Sequence, residues 1–532
     1  MNKVKLSSLL FSLLLGLLAA LPLLVSSAAL LSFILIIPFF YQLFRLEGIR
    51  ARGYYLHSLF FFQGYLMAAF SFFIAMYPLD FAGLTPLAAL SVILAATVLL
   101  PLFQGCFLAF GGVAFALFKR KNLIRRPFLP SFTAAAIFTL LFFCQNFTWA
   151  GVPWASPAVG LTALPSLIGS ASLFGSGFLI FLIFFINALC AEGLLALRSC
   201  RKRASLLALG LAVGLFSVNL LYGLVWINQA QKGEEETLTV ALIQSCAPVK
   251  EELTVAEEIA IGAALAAEAA KEAHVDVMIW PESIVHHALE RDKESRAIFS
   301  KVAMETGAIQ LVGSFSDQVN EDNIVHFYNS IFVFYPDGSM GEERYNKRRP
   351  VPFGEYLPMA RLFGTLIPAL ADISMLSRDT QPGEGSQLFS FSFGRVGGLL
   401  CFDSIYPALA RESAKDGAAL LVLPTNDSWF DGSAGKDIHF AHAVLRAVEN
   451  RRTVVRVGNT GISGVILPSG RVSEILERDE SAVLVSTVTL CEETSVYTRI
   501  GDTFQILLAA YLILYPLTVF SVRKTRKEHT DA

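Results

Sequence analysis

Three side chains far apart in the sequence, Glu282, Lys347 and Cys401, form a set with chemical meaning. Cys401 closes the apolar part of VGGLLCFDSIYP, residues 396–407. That pattern predicts a strand end just ahead of a helix N-terminus, where the helix dipole favours a thiolate. A lone cysteine of this kind is more often a buried structural residue, so its company matters. Glu282 directly follows Ile279-Trp280-Pro281, and Lys347 stands in the compact polar stretch Tyr345-Asn346-Lys347. A thiol is a modest nucleophile until a base takes its proton. Glu282 can take that proton and return it to a leaving alcohol. Attack on an ester carbonyl builds negative charge on oxygen, and Lys347 with the backbone N–H of Phe402 would hold it. Losing one such donor typically costs ~3 kcal/mol or more. The thioester that results can acylate an amine.

Each group also has a plainer role. Glu282 could cap the next helix, and Glu355 could be a surface ion-pair partner. Lys347-Arg348-Arg349 could be a solvated basic run attracted to anionic headgroups, the reading preferred here for Arg348 and Arg349. The ordered set, not any one member, carries the case.

The rest of the chain is the scaffold. Of 532 residues, 54% are hydrophobic and only 16% charged. Soluble domains carry about a quarter charged residues, so the composition points to an integral membrane protein. A net charge of −2 gives no support to a nucleic-acid partner. No two of the seven cysteines form a CxxC pair, so neither a zinc site nor a disulfide framework is expected.

Residues 7–44 are nearly continuously apolar, about twice what one helix needs to cross ~30 Å of hydrocarbon. They are read as two spans split near Val25–Ser27. Further spans are expected at about 57–77, 86–117, 131–150, 171–196, 204–227 and 503–521. Lysine and arginine cluster after spans two, four, six and eight, and before span one; the loops near 78–85 and 151–170 have none. The positive-inside rule then predicts eight spans with both termini in the cytoplasm. Three regions follow: a membrane domain over 1–227 with seven spans, an extracytoplasmic catalytic domain over 228–502, and a last span with a basic cytoplasmic tail over 503–532. The first thirty residues also resemble a signal peptide, whose removal would leave the remaining topology unchanged.

Residues 236–490 alternate between strand-like and helical patterns. Strands are expected at 237–244, 276–280, 308–313, 328–335, 388–393, 395–400, 419–424, 453–458, 463–467, 472–476 and 482–488. Helices are expected at 251–273, 292–306, 405–415 and 437–452. This is an α/β domain with helices covering its sheets. The apolar, proline-broken stretch Tyr356–Leu376 breaks the rhythm and is read either as a packed surface helix or as an interfacial lid beside the site.

Four motifs carry a specific resemblance: WPES at 280–283, RYNKRRPVPFGEYLP at 344–358, LLCFDSIYP at 399–407 and NDSWF at 426–430. They resemble the nitrilase (carbon–nitrogen hydrolase) superfamily. With the eight-span framework, the whole chain resembles the bacterial apolipoprotein N-acyltransferase family. The resemblance implies an αββα sandwich and a Glu–Lys–Cys triad, with Glu282 as base, Lys347 as oxyanion stabiliser and Cys401 as nucleophile. It also implies that Glu355 positions Lys347 and the incoming group, and that Trp429 lies near the active site. Where the best-known members carry Tyr-Glu after the cysteine, this chain has Phe402-Asp403, a shorter carboxylate. No tryptophan follows Gln244, where some members have one.

The function so implied is transfer of an acyl chain from a membrane phospholipid, through a Cys401 thioester, to the α-amine of a diacylglyceryl-cysteine at an apolipoprotein N-terminus. The expected place is the outer face of a bacterial plasma membrane, and the expected kinetics are ping-pong. One alternative is a membrane-anchored amidase or nitrilase that uses water as acceptor. The other is a non-catalytic scaffold with a nitrilase-like binding domain. No cofactor is expected. His439 and His442 sit three apart near Asp437, but no further ligand has metal-site spacing, so both are read as structural. There is no G-x-S-x-G elbow and no glycine-rich phosphate loop.

Overall fold

The computed structural model describes residues 4–46, 50–79, 85–147, 151–230, 236–246, 254–319, 323–356 and 378–530, with side chains as far as Arg523. Nearly all of the stretch read as helix or lid, Tyr356–Leu376, lies outside the described residues. The chain divides into two compact units. One comprises Met1–Tyr77, Pro86–Ile227 and Ile500–Ala532; the other comprises Pro78–Thr85 and Asn228–Arg499.

Among the described residues, six helical segments are long and apolar enough to cross a membrane: Leu6–Leu24, Ser26–Arg45, Pro86–Arg120, Ser176–Arg198, Lys202–Gln229 and Thr503–Arg523. The break in the first apolar stretch falls at Val25, whose backbone is extended between two helical pieces. The other two expected spans differ from that description for separate reasons. Helix Ala51–Ala69 carries Arg52, His57 and Gln63, which dilute its apolar character. Helix Leu129–Cys144 has 16 residues, short of the ~20 a span requires. A pair not anticipated from the sequence, Pro153–Leu161 and Pro165–Phe174, bends by 117°. Some of the buried polar side chains of the first unit are paired internally, which a medium without water favours. Buried Asn187 donates to the Ser32 carbonyl and accepts from the Ile36 N–H, tying the irregular end of one helix to the middle of another.

The second unit is built on two sheets. In the first, strand order is β13(Ala482–Thr489), β1(Thr237–Gln244), β2(Val277–Ile279), β4(Ile309–Val319), β5(Val325–Phe334), β6(Met340–Asn346), with β3(Val285–Ala288) also on β4. In the second it is β12(Val472–Ile475), β11(Gly464–Ile466), β10(Thr453–Gly458), β9(Leu420–Thr425), β8(Gly394–Gly398), β7(Phe389–Phe391). Both have a parallel centre, β1-β2-β4 and β8-β9-β10, and antiparallel margins.

Facing residues of the two sheets, among them Val240, Leu242, Ile279, Leu311 and Ile331 from one and Val396, Leu420, Val422 and Val455 from the other, form one buried core. The outer face of the first sheet packs Met278, Trp280 and Val312 against Ile259, Ala266 and Phe299 of helices Val255–Glu272 and Lys293–Thr306. Helices Pro407–Lys415 and Gly435–Asn450 pack on the second sheet. The result is the αββα sandwich. Its central parallel strands are mostly apolar, as strands covered on both faces tend to be, with Gln310, Arg395 and Arg456 among the exceptions.

Two strands escape the hydrophobic pattern. Strand β6, MGEERYN, is a polar sheet edge, and β3 is only four residues long. Both matter, because β6 delivers Lys347 and β3 follows Glu282. Gly313 on β4 lets that Glu282 segment lie against the sheet: a Cβ there would sit 2.3 Å from the Pro281 carbonyl oxygen and 2.7 Å from the Glu282 Cα. Gly313→Ala is therefore expected to destabilise the full-length protein by about 1–3 kcal/mol through overpacking, measured by denaturant unfolding in detergent. A neutral or stabilising effect would show that this close approach is not needed.

Candidate active site

The candidate residues meet at the carboxyl ends of the parallel strands, where open α/β sheets present their sites. Glu282 lies three residues past β2, after Trp280, whose indole N–H donates to Gln310 at 2.9 Å and fixes the exit of the strand. Ser283 then takes a left-handed φ of +55°, which turns the chain at once. The Glu282 carboxylate is buried and fully engaged. Its Oε1 accepts from Lys347 Nζ and from Asn329 Nδ2, each at 2.8 Å, and its Oε2 accepts from the Asn426 N–H at 2.9 Å. This set of donors is richer than a helix cap offers.

Lys347 is the first residue past β6. Its own N–H donates to the Asn329 carbonyl at 2.7 Å, and its carbonyl accepts from the Gly383 N–H. The side chain is only 2% exposed, and Nζ stands 2.8 Å from both Glu282 and Glu355. Glu355 is held by the Val351 N–H at 2.8 Å and by Asn329 Nδ2 at 2.9 Å. Asn329, on β5, thus donates from one nitrogen to both carboxylates, while its Oδ1 is buried and bonded to nothing among the described residues. Sequence reading missed it. The available signal was an asparagine in the middle of an otherwise apolar β-branched and aromatic strand, where asparagine is disfavoured.

Cys401 follows β8 after Leu399 and Leu400. It opens a tight turn over Cys401–Ile405, in a left-handed conformation with φ +46°. A non-glycine residue held there stores strain that its surroundings must offset. Cys401 thus stands at a strand end ahead of helical structure, as expected, with the next regular helix starting at Pro407. The expected lowering of the thiol pKa is corrected. Burial pushes the Cys401 thiol well above its ordinary value, and Glu282 adds to this; Lys347 acts against them without prevailing. The charges explain the sign. Two carboxylates already share one ammonium, so a thiolate would be a further anion in a dry pocket. Burial works against the Lys347 charge as well, but Glu282 and Glu355 outweigh it and hold the ammonium well above the usual lysine range.

Asp403 proves central to the geometry. Fully buried, it accepts from Tyr345 Oη at 2.8 Å, from the Arg349 N–H at 2.8 Å and from the Leu400 N–H at 3.1 Å. The shorter carboxylate therefore ties the segment carrying Lys347 to the turn carrying Cys401. Burial raises its pKa, opposed by Lys347 and by these donors.

The basic pair next to Lys347 is not a free solvated run. Arg348 pairs with Glu412 at 2.6 Å, and the Arg349 guanidinium lies 5.0 Å from the centre of the Tyr406 ring. Phe402 is buried edge-on against Tyr406. Trp429 stands partly exposed on the short turn Ser428–Phe430, three residues past the Asn426 that holds Glu282.

His439, read as structural, is buried beside the backbone of Cys401. It is joined to Asp427 and Arg456, which sequence reading had not singled out.

A two-sheet αββα sandwich with a buried carboxylate–lysine–carboxylate cluster beside a strained cysteine defines the nitrilase type of domain, here on a chain with several membrane-length helices. Residues 239–496 match the carbon–nitrogen hydrolase family, and residues 15–189 match the apolipoprotein N-acyltransferase N-terminal domain. Among named relatives, an apolipoprotein N-acyltransferase of Geobacter metallireducens is 32% identical over 365 residues, 68% of each chain. One of Allorhizobium ampelinum is 27% identical over 420 residues, 77% of this chain and 74% of its own. A solved amidase from Nesterenkonia sp. is 18% identical, covering 50% of this chain and 94% of its own at a TM-score of 0.38. The chain belongs to the apolipoprotein N-acyltransferase family, and it is a membrane enzyme of the acyltransferase class.

Two outcomes test this geometry. With its thiol pKa raised, Cys401 should be alkylated by iodoacetamide slowly at neutral pH. The rate should still be climbing at pH 9, because the thiolate fraction keeps growing up to a pKa above that of a free thiol; a plateau below pH 8 would contradict the electrostatics. Asn329→Ala should leave both carboxylates short of a donor and lower acylation activity by ~10-fold or more, since each lost hydrogen bond to a buried charge is worth about 1.5–3 kcal/mol. Wild-type activity in that variant would rule out the bridging role.

Proposed function

We propose that this protein N-acylates lipoproteins by a two-step transfer through Cys401. In the first step Cys401 Sγ attacks an ester carbonyl of a membrane phospholipid, and its proton passes to Glu282. The C–S bond forms as charge gathers on the former carbonyl oxygen, which Lys347 Nζ and the Phe402 N–H receive. Collapse breaks the ester C–O bond, and Glu282 returns the proton to the departing lysophospholipid. In the second step the neutral α-amine of a diacylglyceryl-cysteine attacks the thioester. Glu282 takes the amine proton and delivers it to the leaving Sγ, which restores the resting enzyme. Glu355 keeps Lys347 in place, Asp403 sets Lys347 against Cys401, and Trp429 borders the approach.

The observation that carries this reading is the single ammonium of Lys347, 2.8 Å from both Glu282 and Glu355 and coupled in charge to the Cys401 thiol. Moving the proton from sulfur to Glu282 leaves the total charge of that group unchanged, so a dry site permits it where simple ionisation of the thiol would be opposed.

The membrane setting follows from the same chain. Clusters such as Lys119–Lys121 and Arg201–Arg203 alternate with loops free of Lys and Arg, which supports a plasma membrane placement with the catalytic unit on the extracytoplasmic face. Family membership disfavours both the water-acceptor enzyme and the scaffold.

Incubation of the purified protein with phospholipid vesicles should add an acyl mass to the Cys401 peptide, removable by hydroxylamine and stable until an amine acceptor is supplied. A Cys401→Ser variant should lose lipoprotein N-acylation in cells. An unmodified Cys401 under thioester-preserving conditions, or an acyl group lost to water without acceptor, would refute the proposal.

A further inference from the structure

Behind Cys401, on the side of the second sheet, lies a buried network that the steps above do not use. Asp427, on the loop after β9, is completely buried. Its Oδ2 accepts from Arg456 Nη2 at 2.6 Å, and its Oδ1 stands 2.8 Å from His439 Nδ1. Burial alone would raise the Asp427 carboxyl, but Arg456 and His439 hold it well below the usual carboxylate range. The space for it is reserved: a Cβ on Gly461 would lie 2.1 Å from Asp427 Oδ2. His439 Nε2 in turn sits 3.0 Å from the carbonyl oxygen of Cys401. That oxygen can only accept, so Nε2 carries the hydrogen and donates. Ser404 Oγ donates to the same carbonyl at 2.8 Å and lies 3.1 Å from the same Nε2.

The carbonyl of Cys401 and the N–H of Phe402 belong to one planar peptide unit, in which they point in opposite directions. Whatever fixes the carbonyl fixes the N–H. The Phe402 N–H donates to nothing among the described residues, as befits the free first turn of a helical segment. We propose that His439, oriented by Asp427 and Arg456 and assisted by Ser404, is a positioning residue that aims the Phe402 N–H at the developing oxyanion. Hydrogen bonds to the carbonyl also polarise the peptide and strengthen its N–H as a donor. The left-handed Cys401 backbone, with φ +46°, needs such an anchor, because it would otherwise relax to a commoner conformation and swing the peptide plane. The inference rests on the proposed acylation of Cys401 and adds the part that holds its oxyanion donor.

Two reactions of the same sulfur separate this role from a merely structural one. Acylation by phospholipid builds charge on oxygen; alkylation by iodoacetamide displaces iodide at a saturated carbon and builds none. His439→Phe keeps the ring volume and removes the donor. In the full-length protein, with phosphatidylethanolamine and phosphatidylglycerol vesicles, this variant should form acyl-Cys401 ~10- to 100-fold more slowly, the scale of a misaimed group. Its alkylation rate should match the wild type. Ser404→Ala should show a smaller loss with the same selectivity, and it decides the matter alone if His439→Phe does not fold. An equal fall in both reactions, or no fall in either, overturns the inference. A wild-type Cys401 that takes no acyl group would instead defeat the function proposed above, and the inference with it.

Discussion

One ammonium shared by two carboxylates in a pocket closed to water is the constraint on which the rest depends. Lys347 cannot lose its charge beside Glu282 and Glu355, and neither carboxylate can be left without it, because a buried charge without a partner costs several kcal/mol. Every element around the cluster satisfies that demand. Strand β2 and the turn after it bring Glu282, β6 brings Lys347, and the segment after β6 brings Glu355. Asn329 holds the two acids the right distance apart by donating to both. Since the three groups already sum to one negative charge, the cysteine beside them rests as a neutral thiol.

That resting state has a chemical use. A permanently ionised thiolate would react with any electrophile that reached it, and would repel the negative charge that develops on a carbonyl oxygen. In the proposed mechanism the neutral thiol becomes nucleophilic only as its proton moves to Glu282, at which moment Lys347 would be released from part of its pairing and could turn its charge to the oxyanion. Sulfur, carboxylate and ammonium act as a unit, which is why the strength of any one pair says little about the whole.

The sequence made much of this legible, and the limits are physical. Apolar runs revealed nearly every strand of the two sheet centres, because strands covered on both faces must be apolar. They failed for β6, an edge strand whose exposed residues are charged, and for the very short β3. Motif order brought Glu282, Lys347, Glu355 and Cys401 into view, yet the sign of the Cys401 shift was misread: a strand-to-helix pattern announces a dipole but not the burial and the neighbouring carboxylates that overrule it. Asp403 looked like a weakened substitution; its reach to Tyr345, Arg349 and Leu400 depends on how closely two loops approach, which no local pattern encodes. His439 looked structural for the same reason. Its partners, Asp427 and Arg456, come from a loop and a strand separated from it in sequence.

The two buried clusters also divide the work by charge. On one side of Cys401, Glu282, Lys347 and Glu355 are the groups proposed to move protons and receive the oxyanion. On the other, His439, held by Asp427 and Arg456, meets the peptide that carries Cys401, and none of the three changes protonation in the proposed steps. A site that must wait with a thioester in place gains from this separation. Water attacking the thioester would need the same base and the same oxyanion donors as the amine, so geometry offers no discrimination between them. What distinguishes the two acceptors is access: the groups that activate a nucleophile are almost entirely enclosed, Glu282 at 4% exposure and Lys347 at 2%. An acceptor that enters with its own apolar anchor displaces solvent as it arrives, whereas a lone water brings no such apolar contact. On the proposed mechanism, the enclosure that raises the thiol pKa is therefore the same feature that would let the acyl-enzyme persist.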